Sequence, residues 1–268
     1  MEVKYFDIHA HLNFKDFDAD REEVIARCRE EGVLVNNVGT DLVTSREVVE
    51  LADAHEHLYA TVGAHPTDWK KGFDEKEFHT LAANSKVIAI GECGLDYYRI
   101  KDESEKAEQK KLFVQHIALA CSVGKPVMLH IRDSASKPGL AYADVFEILT
   151  REPGVRAHAH FFAGSWDIAE RYLARGITLS FTGVITFARG YDEVIRKTPQ
   201  NMLLTETDAP FVAPEPYRGK RSEPCYVREV LATLAELREE DPEELAAALL
   251  HNALRVLALP AGKFAIDK

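Results

Sequence analysis

Residues 87–96, Val87-Ile88-Ala89-Ile90-Gly91-Glu92-Cys93-Gly94-Leu95-Asp96, open with four apolar side chains in a row and then turn polar. A short unbroken apolar run suits a strand buried on both faces, as in a parallel sheet. Working outward, a helix is expected over 74–84, strands at 33–38 and 58–62, and a helix at 44–56 between them. Before these come an apolar stretch at 3–9 and an amphipathic segment at 20–31 with Val24, Ile25 and Cys28 as its stripe. After residue 96 the helical period is clearest at 103–123, and Gly124 stops it. Strands at 126–130, 155–161, 177–181 and 202–205 alternate with helices at 139–150, 165–175 and 190–197. Two further helices, 223–238 and 242–258, close the chain. Regular strand–helix alternation implies a parallel sheet. Eight such units in roughly 250 residues fit a single-domain (β/α)8 TIM barrel better than an open doubly wound sheet. No GxGxxG follows the first strand and no GxxxxGK[ST] occurs, so dinucleotide and P-loop chemistry have no support.

Composition narrows the function further. The 268 residues are 46% hydrophobic with a net charge of −11, which argues against wrapping a long duplex, because that affinity needs many Lys and Arg contacts to phosphate. No apolar run reaches the roughly 18 residues of a membrane span, and no signal peptide is visible at the N-terminus. The four cysteines, Cys28, Cys93, Cys121 and Cys225, are widely spaced and form no CxxC, which favours reduced thiols and a cytoplasmic location. No protein partner is evident.

The chemistry-bearing residues share one predicted place. Asp7-Ile8-His9-Ala10-His11 ends the first strand, and alternation along a strand points His9 and His11 the same way. Taken alone, this pair reads equally well as two solvated histidines. But His65, Glu92, His130, His160 and Asp208 also fall at strand ends, and in a TIM barrel those ends form the active-site face. Gathering such groups without a cation would be costly. Four imidazoles (His9, His11, His130, His160) and two carboxylates (Glu92, Asp208) suit two divalent ions bridged by Glu92, with zinc, magnesium or manganese all compatible. Two dications against two carboxylates leave a positive mouth that would attract an anion, and paired metals suit displacement at phosphorus.

The motifs Asp7-Ile8-His9-Ala10-His11-Leu12, Gly63-Ala64-His65-Pro66, Gly91 to Tyr97, His130-Ile131-Arg132, His160-Phe161-Phe162-Ala163-Gly164 and Glu206-Thr207-Asp208-Ala209-Pro210 together resemble the TatD family of metal-dependent deoxyribonucleases, within the amidohydrolase superfamily. The resemblance runs in order along the whole chain. It implies a TIM barrel, divalent metals and hydrolysis of DNA, often from the 3′ end, with DNA ends or short single strands as substrate. It also implies that His9, His11 and Asp208 hold one metal and His130 and His160 the other, with Glu92 bridging. Two departures stand out: Phe161 where the family commonly has Cys, and Ser222 where it commonly has Asn.

Asp208 and Glu92 are the expected catalytic carboxylates. His65, Arg132 and Arg218 are expected to contact substrate. Asp7 and Glu206 are in phase to orient ligand imidazoles, although an ordinary buried ion pair fits them equally. His158 reads as a core histidine one layer deeper, and Tyr97, Tyr98 and Trp166 as rings that either stack on bases or, as is more common near a barrel rim, simply pack. A second function class keeps the metals but hydrolyses an ester, lactone or aminoacyl linkage. A third keeps the barrel only as a binding scaffold, which the complete ligand set opposes.

Overall fold

The computed structural model describes residues 1–100 and 102–260. Its eight parallel strands are β1 (Tyr5–Ala10), β2 (Val33–Val38), β3 (Leu58–Val62), β4 (Val87–Asp96), β5 (Val127–Arg132), β6 (Ala157–Ala159), β7 (Thr178–Phe181) and β8 (Leu203–Thr205), paired in sequence order. The helices are α1 (Arg21–Glu30), α2 (Leu42–Ala54), α3 (Glu75–Ala82), α4 (Glu103–Val123), α5 (Leu140–Thr150), α6 (Trp166–Ala174), α7 (Asp192–Lys197), α8 (Val227–Arg238) and α9 (Pro242–Val256). This is the expected single-domain TIM barrel. The first and last strands meet through a parallel bridge between Ala10 and Ala209, with His11 N–H donating to the Ala209 carbonyl at 2.7 Å and Asp208 N–H to the His9 carbonyl at 2.9 Å.

Local chemistry sets the helix ends. Asp41 caps α2 in a reciprocal capping box with Thr44, and Asp241 caps α9 ahead of Pro242. Leu250, Ala253 and Leu254 of α9 pack with Phe6, Leu34, Tyr59, Ile88 and Met128, so the helix covers the end of the barrel where the strands begin. That leaves the opposite end open for a site.

Three expectations change. The fourth strand runs past Ile90 to Asp96, because residues 93–96 pair with Leu129–Arg132, so Glu92 lies inside a strand. The sixth strand is only three residues long; Phe161 has φ 42°, a left-handed conformation that ends extended pairing. Residues 224–226 form a separate 3-10 turn, and α8 begins at Val227. The β1–β2 ladder shifts register between Asp7 and Ala10, and the β3–β4 contact is very close: a Cβ on Gly63 would lie 2.6 Å from the Gly91 carbonyl carbon. Only glycine fits there.

His116 of α4 holds this region from behind. Its Nε2 accepts from Ala64 N–H at 2.8 Å while Nδ1 donates to the Leu112 carbonyl at 2.8 Å, which fixes the neutral ring beside the His65 segment. Burial pushes its pKa down to about 4. Between that value and the unfolded value near 6.5, the unfolded chain binds a proton that the folded chain refuses, so stability falls as pH falls. His116→Leu should cost about 1–3 kcal/mol at pH 7 by stranding the Ala64 amide. It should also remove about 2 kcal/mol of the stability otherwise lost between pH 7 and pH 5. Urea titrations of both proteins at the two pH values measure this; an unchanged acid loss in the variant would refute it.

Candidate metal centre

Glu92 stands at the middle of the open end, only 4% exposed. Its two oxygens face different partners. Oε2 lies 3.5 Å from His9 Nε2 and 3.8 Å from His11 Nε2, and Asp208 Oδ1 lies 3.7 Å and 3.5 Å from the same two nitrogens. Oε1 lies 2.6 Å from His130 Nδ1, 3.0 Å from His160 Nε2 and 3.8 Å from His65 Nε2. Donor atoms bound to one zinc-like ion at about 2.1 Å sit about 3.4 Å apart; the contacts on the Oε2 side lie close to that spacing, whereas on the Oε1 side the two imidazoles are drawn in to hydrogen-bond distance of the carboxylate.

The proton inventory points to cations as well. His11 Nδ1 faces the Val38 carbonyl at 2.7 Å and so carries the proton of the neutral ring, which leaves Nε2 as a lone pair aimed at His9 Nε2 3.2 Å away. His130 Nε2 faces Asp96 Oδ2 at 3.2 Å, and His160 Nδ1 faces Glu206 Oε1 at 3.4 Å. Their other nitrogens then turn lone pairs toward Glu92 and toward each other at 3.4 Å. Acceptors converging at such distances repel unless protons or metal ions lie between them. In the protein alone, burial opposes charge on His11, His130 and His160, but Asp208, Asp96, Glu92 and Glu206 outweigh it and raise their pKa values. Burial would likewise raise Glu92, yet the surrounding imidazoles hold it well below the carboxylate range. His9, stacked 3.9 Å over His160, is pushed down by burial and by that neighbour, and its Nδ1 has no hydrogen-bond partner. The donor set therefore fits divalent metal, with one group of candidate ligands on each side of Glu92.

His65 differs from the other imidazoles. Thr67 N–H donates to its Nδ1 at 3.2 Å, so the neutral ring carries its proton on Nε2, facing the site. Burial, aided by His130, lowers its pKa to about 3. It thus offers a neutral N–H donor where a lone pair would be needed for ligation. Glu206 accepts from Phe161 N–H at 2.6 Å and from Ser180 Oγ at 2.8 Å besides facing His160. Asp7 touches no imidazole ring: it accepts from Thr207 N–H, Thr207 Oγ and the His9 backbone N–H, and so ties β1 to the segment after β8. His158 is satisfied in the core by Thr178 and Ser180, each at 2.8 Å.

A cavity of about 630 Å³ opens over Glu92. Arg132 lines it and stacks its guanidinium 4.0 Å from the Tyr98 ring centre. Arg218 does not line it; its guanidinium covers Phe187 at 3.9 Å instead. Tyr97 is buried with its hydroxyl on Asp144, and Trp166 sits beneath Lys197, so neither ring reaches the cavity. Ser222 is buried in the loop after β8, its N–H donating to the Pro210 carbonyl, and Phe161 reaches the cavity wall. Two contributors were missed in the sequence: Asp96, fully buried against His130 Nε2, and Arg99, which caps Asp96 at 3.3 Å and also lines the cavity. The one available signal was Asp96 at the polar end of the fourth strand's run.

A barrel whose open end gathers histidines around a shared buried carboxylate defines a metal-dependent hydrolase. Comparison with known proteins agrees. Residues 6–258 match the family described as TatD related DNase. The chain is 40% identical to the "Uncharacterized metal-dependent hydrolase YabD" of Bacillus subtilis, over 95% of this chain and 99% of that protein. It is 38% identical to the "3'-5' ssDNA/RNA exonuclease TatD" of Cronobacter sakazakii, over 94% and 97%. The crystal structure of YJJV, a TatD homologue from Escherichia coli K12, superposes with a TM-score of 0.87 at 31% identity, covering 97% of this chain and all of that one. The chain belongs to the TatD family.

Asp96 fixes which nitrogen His130 turns toward Glu92. Asp96→Asn should weaken metal binding by about 10–100-fold, the usual effect of losing a carboxylate that orients a ligand imidazole. Competition titration against a chromophoric chelator measures it; unchanged affinity would show that His130 needs no such support.

Proposed function

We propose that this protein is a two-metal phosphodiesterase that removes nucleotides from the ends of single-stranded DNA. The observation that carries the reading is the split allegiance of Glu92, one oxygen toward His9 and His11 and the other toward His130 and His160. Asp208 completes the first site. Bound together, two divalent ions supply the Lewis acidity that activates water and offsets charge on the phosphate.

The protein's own groups do the rest. Asp208, whose Oδ1 lies beside both His9 and His11, takes the proton of the attacking water on its other carboxylate oxygen. The His65 Nε2–H donor can hold a non-bridging phosphate oxygen. Arg132 and Arg99 on the cavity wall can take flanking phosphates, the role for which a planar guanidinium is suited. The relative from Cronobacter sakazakii, by its name, acts on single-stranded DNA and RNA from the 3′ end, which supports a polynucleotide over an ester or lactone.

Metal-reconstituted protein, tested side by side on end-labelled single-stranded DNA, RNA and a panel of small esters, should shorten the DNA stepwise and saturate at two metal equivalents per chain. Hydrolysis of esters alone would overturn the reading. On the DNA substrate, Asp208→Asn should lower kcat by about a hundredfold or more while substrate still binds. Near-normal turnover with metals in place would remove Asp208 as the base.

Arg132→Ala should raise KM for DNA by about tenfold, from loss of a charge-assisted contact, and flatten its salt dependence with metal content unchanged. A small uncharged ester should not respond. An equal loss on both substrates would count against a phosphate contact.

A further inference from the structure

Among the described residues, the large hydrophobic side chains left exposed are Met1, Val43, Tyr98, Val114 and Phe211. Only two of them are aromatic, Tyr98 and Phe211. Tyr98 carries Arg132, whereas Phe211 lines the cavity itself and is 49% exposed. A single exposed phenyl ring is ordinary on a protein surface. This one is held by the catalytic turn. Phe211 N–H donates to the Asp208 carbonyl at 2.9 Å, so one tight turn presents the Asp208 carboxylate inward and Phe211 at the rim.

The ring is also the outer member of an aromatic wall. His11 stacks on Phe14 with centroids 4.5 Å apart and planes 11° from parallel. Phe211 meets both edge-on, 6.3 Å from each. The wall therefore runs without interruption from a candidate metal ligand to solvent. Edge contacts fix the orientation of Phe211 without covering it, whereas His11 and Phe14 cover one face of each other. Phosphate donors are already accounted for by Arg132 and Arg99 on the cavity wall. A phenyl ring has nothing to offer a phosphate, but it offers a flat apolar surface to the flat face of a nucleobase. Such stacking tolerates any base and is the usual device of proteins that hold single strands.

We infer that Phe211 is the stacking platform for the base of one nucleotide flanking the scissile phosphate, and that it, together with Phe14 behind it, gives this site its selectivity for unpaired nucleotides. A base stacked on Phe211 lies against protein and is withdrawn from its own strand neighbours, which a paired base cannot do. The inference rests on the phosphodiesterase reading above and adds the group that distinguishes a nucleic acid from any other phosphodiester.

The test compares oligodeoxynucleotides that carry a normal base, or a stable abasic residue, at each of the two positions flanking the cleaved bond. Wild-type holoenzyme should prefer base over abasic by about tenfold or more in kcat/KM at one of the two positions, the size expected of one stacked base. In Phe211→Ala that preference should collapse toward unity, and Phe211→Trp should restore it. A second measurement follows binding directly: 2-aminopurine at the sensitive position of a phosphorothioate-blocked strand should be quenched by wild type and by Phe211→Trp but not by Phe211→Ala. Equal cleavage of base-bearing and abasic strands by wild type, or a base preference that survives in Phe211→Ala, would overturn the stacking role and leave the phosphodiesterase reading standing. Failure of wild type to cleave either strand would overturn that reading and this inference with it.

Discussion

A carboxylate with almost no water contact, ringed by imidazoles, is the constraint from which the open end of this barrel takes its form. Burial alone would protonate Glu92; the histidines keep it ionised, and it in turn raises the pKa of His130 and His160 against their own burial. Neither side is tenable without the other. The outer partners serve the same end. Asp96 and the Val38 carbonyl each occupy one ring nitrogen and so determine which lone pair faces inward, and Glu206 lies 3.4 Å from the outer nitrogen of His160. Even the backbone conforms: Asp208 and Phe161, both at the rim, take positive φ angles of 58° and 42°, uncommon for residues with side chains.

Much of this was legible in the sequence because strand ends are legible. An apolar run that turns polar marks where a chain leaves a parallel sheet, and in a barrel all such points share one face. That logic placed His9, His11, His65, Glu92, His130, His160 and Asp208 together, and the structure brings them together. The sequence reading set His65 apart as a substrate contact, but the reason, a tautomer fixed by the Thr67 backbone amide two residues on, is visible only in the fold. It assigned Arg218 to substrate from its position in a loop, whereas the loop's path lays that side chain over Phe187. Asp7 looked in phase with the imidazoles, yet its oxygens are taken by backbone and hydroxyl donors across the β1–β8 seam. Asp96, Arg99 and the rim ring of Phe211 depend on how β4 continues beside β5 and how the last βα loop turns. Both are tertiary outcomes that no local period encodes.

The acidic whole and the proposed anionic substrate are compatible for a local reason. Carboxylates at and near the cavity have cationic partners: Asp96 has Arg99 and His130, Asp68 on the cavity wall has Lys71, and Glu223 at the end of the last loop has Arg27 and Arg221. Arg221 is further engaged by Asp20, which anchors that loop to the start of α1. Field at the mouth then depends on the cations there more than on the net charge of the surface, because exposed charges more than a Debye length away are largely screened.

The seam between β1 and β8 has a consequence for how the protein comes into being. One candidate site draws His9 and His11 from the first dozen residues and Asp208 from beyond the two-hundredth, and the hydrogen bonds from His11 N–H to the Ala209 carbonyl and from Asp208 N–H to the His9 carbonyl are what bring them together. A nascent chain emerging from the ribosome holds the first pair long before the third member has been synthesised. The candidate metal site is thus incomplete in any translation product that ends before Asp208, and it forms only once the last strand closes against the first.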